Sequence, residues 1–147
     1  MRFAKLVAAG NRYAAVDGRS VSLPWPEVAV SLCREAPGAE TDGLVIVSES
    51  AVAAFRVQVF NSDGSKAEIS GNGLRLAVKF ALDRAIVRLE GDTLDVETAA
   101  GIRTVWPTIE SGRMTGGRIR MGAPNFRSAD FPAAPDRETF DLELGET

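Results

Sequence analysis

The chain has 147 residues, 45% hydrophobic and 25% charged, with a formal net charge of −3 at pH 7; this fits a globular domain with its own core and argues against a general affinity for nucleic acid. It contains no histidine and a single cysteine, Cys33, which excludes Ser-His-Asp and Cys-His catalysis, histidine metal sites and any internal disulfide. No apolar run is long enough to span a bilayer and the start has no signal-peptide core, so the expected setting is cytoplasmic with no membrane partner.

Residues 2–7 alternate weakly and read as a strand, 8–11 as a loop and 13–16 as a second strand. Asp17-Gly18-Arg19 is a turn signal. Pro24-Trp25-Pro26-Glu27 marks a helix start, with proline in the first turn and an acid favoured by the dipole. That helix runs to about Arg34, with Cys33 beside Ala29 on its side as a buried structural thiol. Residues 44–47 form a short apolar strand. A longer one follows at 53–60, with Phe55, Val57 and Val59 on one face.

The stretch 60–84 organises the rest. A polar turn leads into Ser70-Gly71-Asn72-Gly73 and then a helix. Leu74, Ala77, Val78, Ala81 and Leu82 share one face, and Leu76 and Phe80 add a second apolar line. Arg75, Lys79 and Asp83 leave a single polar stripe. A helix apolar on nearly all sides is expected to be buried. Its first N–H groups lack partners within the helix, and the dipole favours negative charge there. The elbow therefore fits either a carboxylate or phosphate cradle or an ordinary N-cap made by Ser70 or Asn72.

Residues 93–97 and 102–106 read as strands joined by a turn at Ala99-Ala100-Gly101. Residues 113–121 read as another, with Ile119 and Met121 on one face. Arg113, Arg118 and Arg120 on it form a basic patch, taken as a solvated strand face because no aromatic interleaves with them in sequence. From Gly122 prolines cluster and the pattern becomes that of a connection, and residues 140–144 resume alternation. The sum is α+β: a mixed, mostly antiparallel sheet wrapped around a central buried helix.

Several motifs resemble the diaminopimelate epimerase family in the right order. Phe3-x-Lys5 with Gly10-Asn11 is similar to its opening, Asp42-Gly43-Leu44 to a later turn, and Asn61-Ser62-Asp63-Gly64-Ser65 with Ala67-Glu68 to its N-A-D-G-S-x-A-E. Gly71-Asn72-Gly73-Leu74-Arg75 is similar to the segment that follows the family's first catalytic cysteine. Residues 97–103 and 121–126 resemble its E-T-x-A-G-I-R and M-G-x-P-x-F. Ser70 stands where that pattern has cysteine, Ala8 and Glu40 where glycines are usual, and Arg12-Tyr13 where Asp-Phe is usual.

The resemblance implies one lobe of a two-lobed, cofactor-independent isomerase of amino-acid biosynthesis, of the lysine and cell-wall precursor branch. Residues 1–122 would be the N-terminal lobe and 123–147 the connection toward a second lobe or chain. It implies an amino-acid substrate held by Asn11, Asn61, Gly71 and Asn72, with Ser70 at the first base position. No cofactor or metal is implied. Inverting an α-carbon this way requires two bases flanking it and a held carboxylate. A serine hydroxyl needs an adjacent base. Glu68, Asp63, Lys66 and Lys79 are the candidates, and Glu68 would share a face with Ser70 if residues 68–70 were a strand. A binding relative that has lost its thiol, and a one-base eliminating enzyme, are the alternatives.

Overall fold

The computed structural model describes residues 2–34 and 40–123. The alternating run at 140–144 and all but the first residue of the expected connection lie outside this range.

Ala9 and Gly10 both have positive φ, 47° and 85°, as a two-residue type I′ hairpin turn requires. They join β1 (Ala4–Ala8) to β2 (Asn11–Asp17), with Ala8 opposite Asn11. The loop expected over 8–11 is thus only two residues, and Asn11 begins a strand. After α1 (Trp25–Arg34), β3 (Gly43–Ser48) lies parallel to β2, and β4 (Phe55–Asn61) returns antiparallel. A two-residue strand, β5 (Lys66–Ala67), pairs with β4 and had no period to betray it. Beyond α2 (Gly71–Asp83), β6 (Leu94–Thr98) lies parallel to β4, and β7 (Gly101–Glu110) and β8 (Arg113–Ile119) follow antiparallel.

The sheet order is β1-β2-β3-β4-β6-β7-β8, with β5 beside β4. Two of its seven pairings are parallel, so the sheet is mixed and mostly antiparallel within an α+β fold.

β3 explains how two helices share one sheet. Every residue from Gly43 to Val47 is buried. Val45 and Val47 enter the core beneath α2, while Leu44 and Ile46 enter a second core beneath α1. Alternation sends successive side chains to opposite faces, and burying each Val, Leu or Ile contributes roughly 1.5–3 kcal/mol. Phe55, Val57 and Val59 of β4 face α2, while Phe60 faces α1. Ala29 lies in the α1 core, and Cys33 is buried with its Sγ accepting from Thr41 Oγ1 at 3.2 Å.

Helix α2 packs inside the curl of this half-barrel. Gly73, Leu74, Leu76, Ala77, Val78, Phe80 and Ala81 are buried. Arg75 and Lys79 are half-buried and Asp83 is exposed. The helix contacts both β1 and β8, the two ends of the sheet, and its polar stripe lies between them. A cleft of about 480 Å³ opens there, lined among others by Val7, Ala8, Asn72, Arg75, Lys79 and Gly117. The helix is lined by sheet on its apolar sides and open on its polar one, short of the full enclosure its apolar count predicts.

Two local expectations need correction. The arginine patch does have an aromatic: Trp106 on the neighbouring strand lies 4.7 Å from the guanidinium carbon of Arg118 and 5.6 Å from that of Arg120. Trp106 and Arg118 are cross-strand partners, so the pairing is invisible in local sequence. Ile119 packs on the core, but β8 ends there and Met121 is 45% exposed.

Candidate active site

Register places the residues singled out from sequence at one end of the sheet. Tyr13 pairs with Gly43 and Gly43 with Asn61. Asn61 thus closes β4 level with the start of β2, two strands or about 10 Å away. Gly43 is required for this approach, since a Cβ there would lie 2.5 Å from Phe60 O and 2.8 Å from Tyr13 Cε1. Asn11 begins β2 at the same end. Tyr13 Oη lies 3.4 Å from Ser70 Oγ, which brings the start of α2 beside them.

Ser70 is the N-cap of α2. Its backbone is extended (φ −133°, ψ 115°), and its Oγ accepts the Gly73 N–H at 3.0 Å. No acidic residue occupies the first turn, so no carboxylate of the helix itself offsets the dipole there. β5 ends at Ala67 and Glu68 is exposed in a bend. The strand alternation that would have placed Glu68 and Ser70 on one face is not formed.

Asn61 serves its own loop. Its Nδ2 donates to Ser65 Oγ at 2.8 Å, and its backbone N–H donates to Ser65 O at 2.8 Å. Asp63 Oδ1 accepts from the Ser65 N–H and hydroxyl at 2.9 and 2.6 Å. Asn72 is engaged at both ends of its amide. Its Nδ2 donates to Asn11 Oδ1 at 2.7 Å, and its Oδ1 accepts from Arg75 Nη1 at 2.9 Å. Arg75 Nε also donates to Gly117 O at 3.0 Å.

Gly71 is open. A Cβ there would meet nothing closer than Arg75 Nη1 and Met121 Sδ, both at 3.9 Å. Packing does not demand glycine at this position.

Sequence reasoning missed Tyr13, Arg75 and Met121 as neighbours of this site. Arg75 carried a usable signal: it is polar in an apolar helix, one turn beyond Asn72 at the i,i+3 spacing that makes neighbours. Tyr13 and Met121 arrive by long-range folding and carried none. Among the described residues, no group of three or more His, Cys, Asp or Glu side chains could hold a metal ion, and no helix is long and apolar enough to cross a membrane.

A mixed half-barrel around a helix whose N-terminus opens at one sheet end is the α+β fold of racemase- and epimerase-like lobes. A probable proline racemase from Agrobacterium radiobacter, solved with bound carbonate, superposes with a TM-score of 0.59 over 80% of this chain and 40% of its own, at 16% identity. A hydroxyproline epimerase from Agrobacterium vitis, solved with trans-4-hydroxy-L-proline, gives 0.58 over the same shares at 12% identity. Residues 3–127 match the diaminopimelate epimerase family model, and the chain belongs to that family. It is 34% identical over 140 residues to the diaminopimelate epimerase of Caldanaerobacter subterraneus, covering 95% of this chain and 50% of the relative. It is 35% identical over 144 residues to that of Acetivibrio thermocellus, covering 97% and 51%. The chain thus spans about half the length of these curated relatives.

Proposed function

We propose that this chain is the N-terminal lobe of a cofactor-independent amino-acid epimerase of the diaminopimelate type, whose part is to hold the substrate's carboxylate at the start of α2. Residues 1–122 form the lobe and 123–147 connect it to a second lobe or chain that completes the site. The single observation that carries the reading is the open Gly71 at an N-terminus without an acid, beside Asn11. A glycine tolerated without a packing reason leaves room for a ligand to reach backbone N–H groups. Gly71 and Asn72 would donate from the backbone, and Asn11 from its side chain. Asn61 stands at the same sheet end, and a longer substrate would meet it only by displacing its bond to Ser65.

Ser70 occupies the position of the family's first catalytic cysteine. The helix dipole contributes roughly 0.3–1 kcal/mol at such a place, under one pKa unit. That suffices to bias a thiol but does not turn a hydroxyl into a base. With no histidine and no strand-mate carboxylate, Ser70 caps the helix and abstracts no proton. This favours a second reading, a binding relative without isomerase activity, and the observation behind it is the Ser70 Oγ bond to the Gly73 N–H.

Titration with sodium acetate, followed by amide NMR, tests the site. The Gly71, Asn72 and Gly73 amides should shift in the millimolar range, a weak-binding scale. Gly71→Ala should keep the fold and lose the response. Unmoved amides would leave α2 with an N-cap and no ligand.

A further inference from the structure

We propose that Arg75 is a positioning residue: it fixes the direction of the Asn72–Asn11 amide pair so that Asn11 presents its Nδ2 donors, and not its carbonyl, to the ligand carboxylate. This rests on the reading of the α2 start as a carboxylate site. It explains how two neutral amides, each able to face either way, acquire one orientation.

The guanidinium of Arg75 only donates. The group of Asn72 that meets Arg75 Nη1 at 2.9 Å must therefore be its oxygen. The opposite arm of that amide is NH2, and it lies 2.7 Å from Asn11. The Asn11 atom that meets an NH2 must in turn be oxygen. One amide has one oxygen and one nitrogen on opposite arms, so the arm of Asn11 directed away from Asn72 carries the N–H donors. Polarity set at Arg75 is handed through two side chains to the ligand side. The guanidinium is itself held at a second point, Nε to Gly117 O at 3.0 Å, so it cannot swing away without leaving β8. Arginine's planar fork suits this double task.

Without the donor at position 75 the pair has two arrangements of similar energy. The terminal torsion of an asparagine is broad and roughly two-fold, and an Asn–Asn contact is satisfied with either residue donating. Half of the molecules would then present the Asn11 oxygen to a carboxylate, a repulsive contact. In that half the carboxylate is held by the backbone N–H groups alone, so the Asn11 NH2 response falls by about half while the backbone response is kept.

The test uses the chain with sodium acetate as probe, following the Asn11 side-chain NH2 together with the Gly71, Asn72 and Gly73 backbone amides. In the parent all four should shift. Arg75→Lys keeps a donor and the charge, and should keep the parent response of Asn11. Arg75→Gln can donate or accept, and Arg75→Met can do neither. In both, the backbone amides should still respond while the Asn11 NH2 response falls by about half or more. Loss of charge alone would weaken all four signals together, so a proportional decline overturns the proposal. An Arg75→Met variant whose Asn11 response equals the parent's overturns it as well. Backbone amides silent in the parent would defeat the site reading, and with it the ligand-facing role of Asn11.

A ligand-free readout keeps the two failures apart. The Asn11 and Asn72 side-chain resonances should each be single in the parent and in Arg75→Lys. They should be split or shifted toward an average in Arg75→Gln. Single, unmoved resonances in Arg75→Gln would show that something other than Arg75 sets the direction.

Discussion

Ser70 Oγ accepts the Gly73 N–H at 3.0 Å, and Gly73 sits against it closely enough that a Cβ would lie 3.1 Å from the same oxygen. The hydroxyl is thereby committed to the helix end. Ser70→Ala should cost about 1 kcal/mol, the usual value of an N-cap, read as a lower melting temperature. Ser70→Asp keeps an acceptor at the cap and should melt at or above the parent. It also places a fixed anion where acetate would sit, so the acetate shifts of Gly71–Gly73 should vanish.

Val78 is fully buried in the α2 core. Val78→Asp puts an unpaired carboxylate there, a cost of several kcal/mol. The variant should lose its cooperative melting transition or melt at least about 10 °C lower. Melting within a degree or two of the parent would contradict the packing described for α2.

Ala9 has φ 47° at the first position of the β1–β2 turn. A non-glycine residue there is strained by roughly 1–2 kcal/mol, and Asn-Gly is the favoured pair for this turn. Ala9→Asn should therefore stabilise the chain by about 1 kcal/mol, seen as a rise of a few degrees in melting temperature. The same variant should leave the Asn72–Asn11 pair intact, because Ala8 remains opposite Asn11.

These residues also show what the sequence disclosed. β3 was legible because the unbroken apolar run Leu44–Val47 encodes a strand buried on both faces, and β4 because alternation over Phe55–Val59 encodes one buried face. Helix α2 was legible because its apolar residues recur at 3.6. The turn at Ala9-Gly10 looked like a loop because alanine gives no sign of positive φ. β5 is too short to have a period. At the site, Asn11, Asn61, Gly71 and Asn72 were named from the resemblance; register brings Asn11 and Asn61 to one sheet end, and the Asn72–Asn11 hydrogen bond ties the start of α2 to it. The arrangement linking Asn72 to Arg75 and Gly117, and Ser70 to Tyr13, depends on contacts between residues far apart in sequence. Local pattern cannot report those. Trp106 beside Arg118 and Arg120 escaped for the same reason.

Acid stability follows from two ion pairs away from the site. Glu97 accepts from Arg56 at 2.7 Å and from Ser50 at 2.6 Å, and the Arg56 hydrogen bond is the first cause of a carboxyl held below its usual range. The hydrogen bond from Arg19 does the same for Asp17, 2.8 Å away. Both groups titrate lower folded than unfolded. Their contribution is complete above the unfolded carboxylate range, near pH 4, and is lost as pH falls through the folded values. Melting temperature should decline below about pH 4, and Glu97→Gln should flatten that decline. Asp17, Arg19 and Arg56 are exposed and Glu97 is half-buried, so added salt should shrink the difference. A Glu97→Gln curve parallel to the parent's would show that this pair is not part of the acid response.

On the proposed reading, this chain binds and orients a carboxylate but removes no α-proton by itself. Deuterium incorporation at Cα, followed by NMR in D2O with diaminopimelate and with free amino acids, tests it most directly. A positioned general base is worth roughly 10²–10⁴-fold, and here Ser70 Oγ is engaged in capping a helix. No exchange above the uncatalysed rate is expected, for the parent and for Ser70→Cys, until a complementary lobe with its own thiol is supplied. Steady exchange by the parent chain, abolished in Ser70→Ala, would contradict it and make the serine a working base.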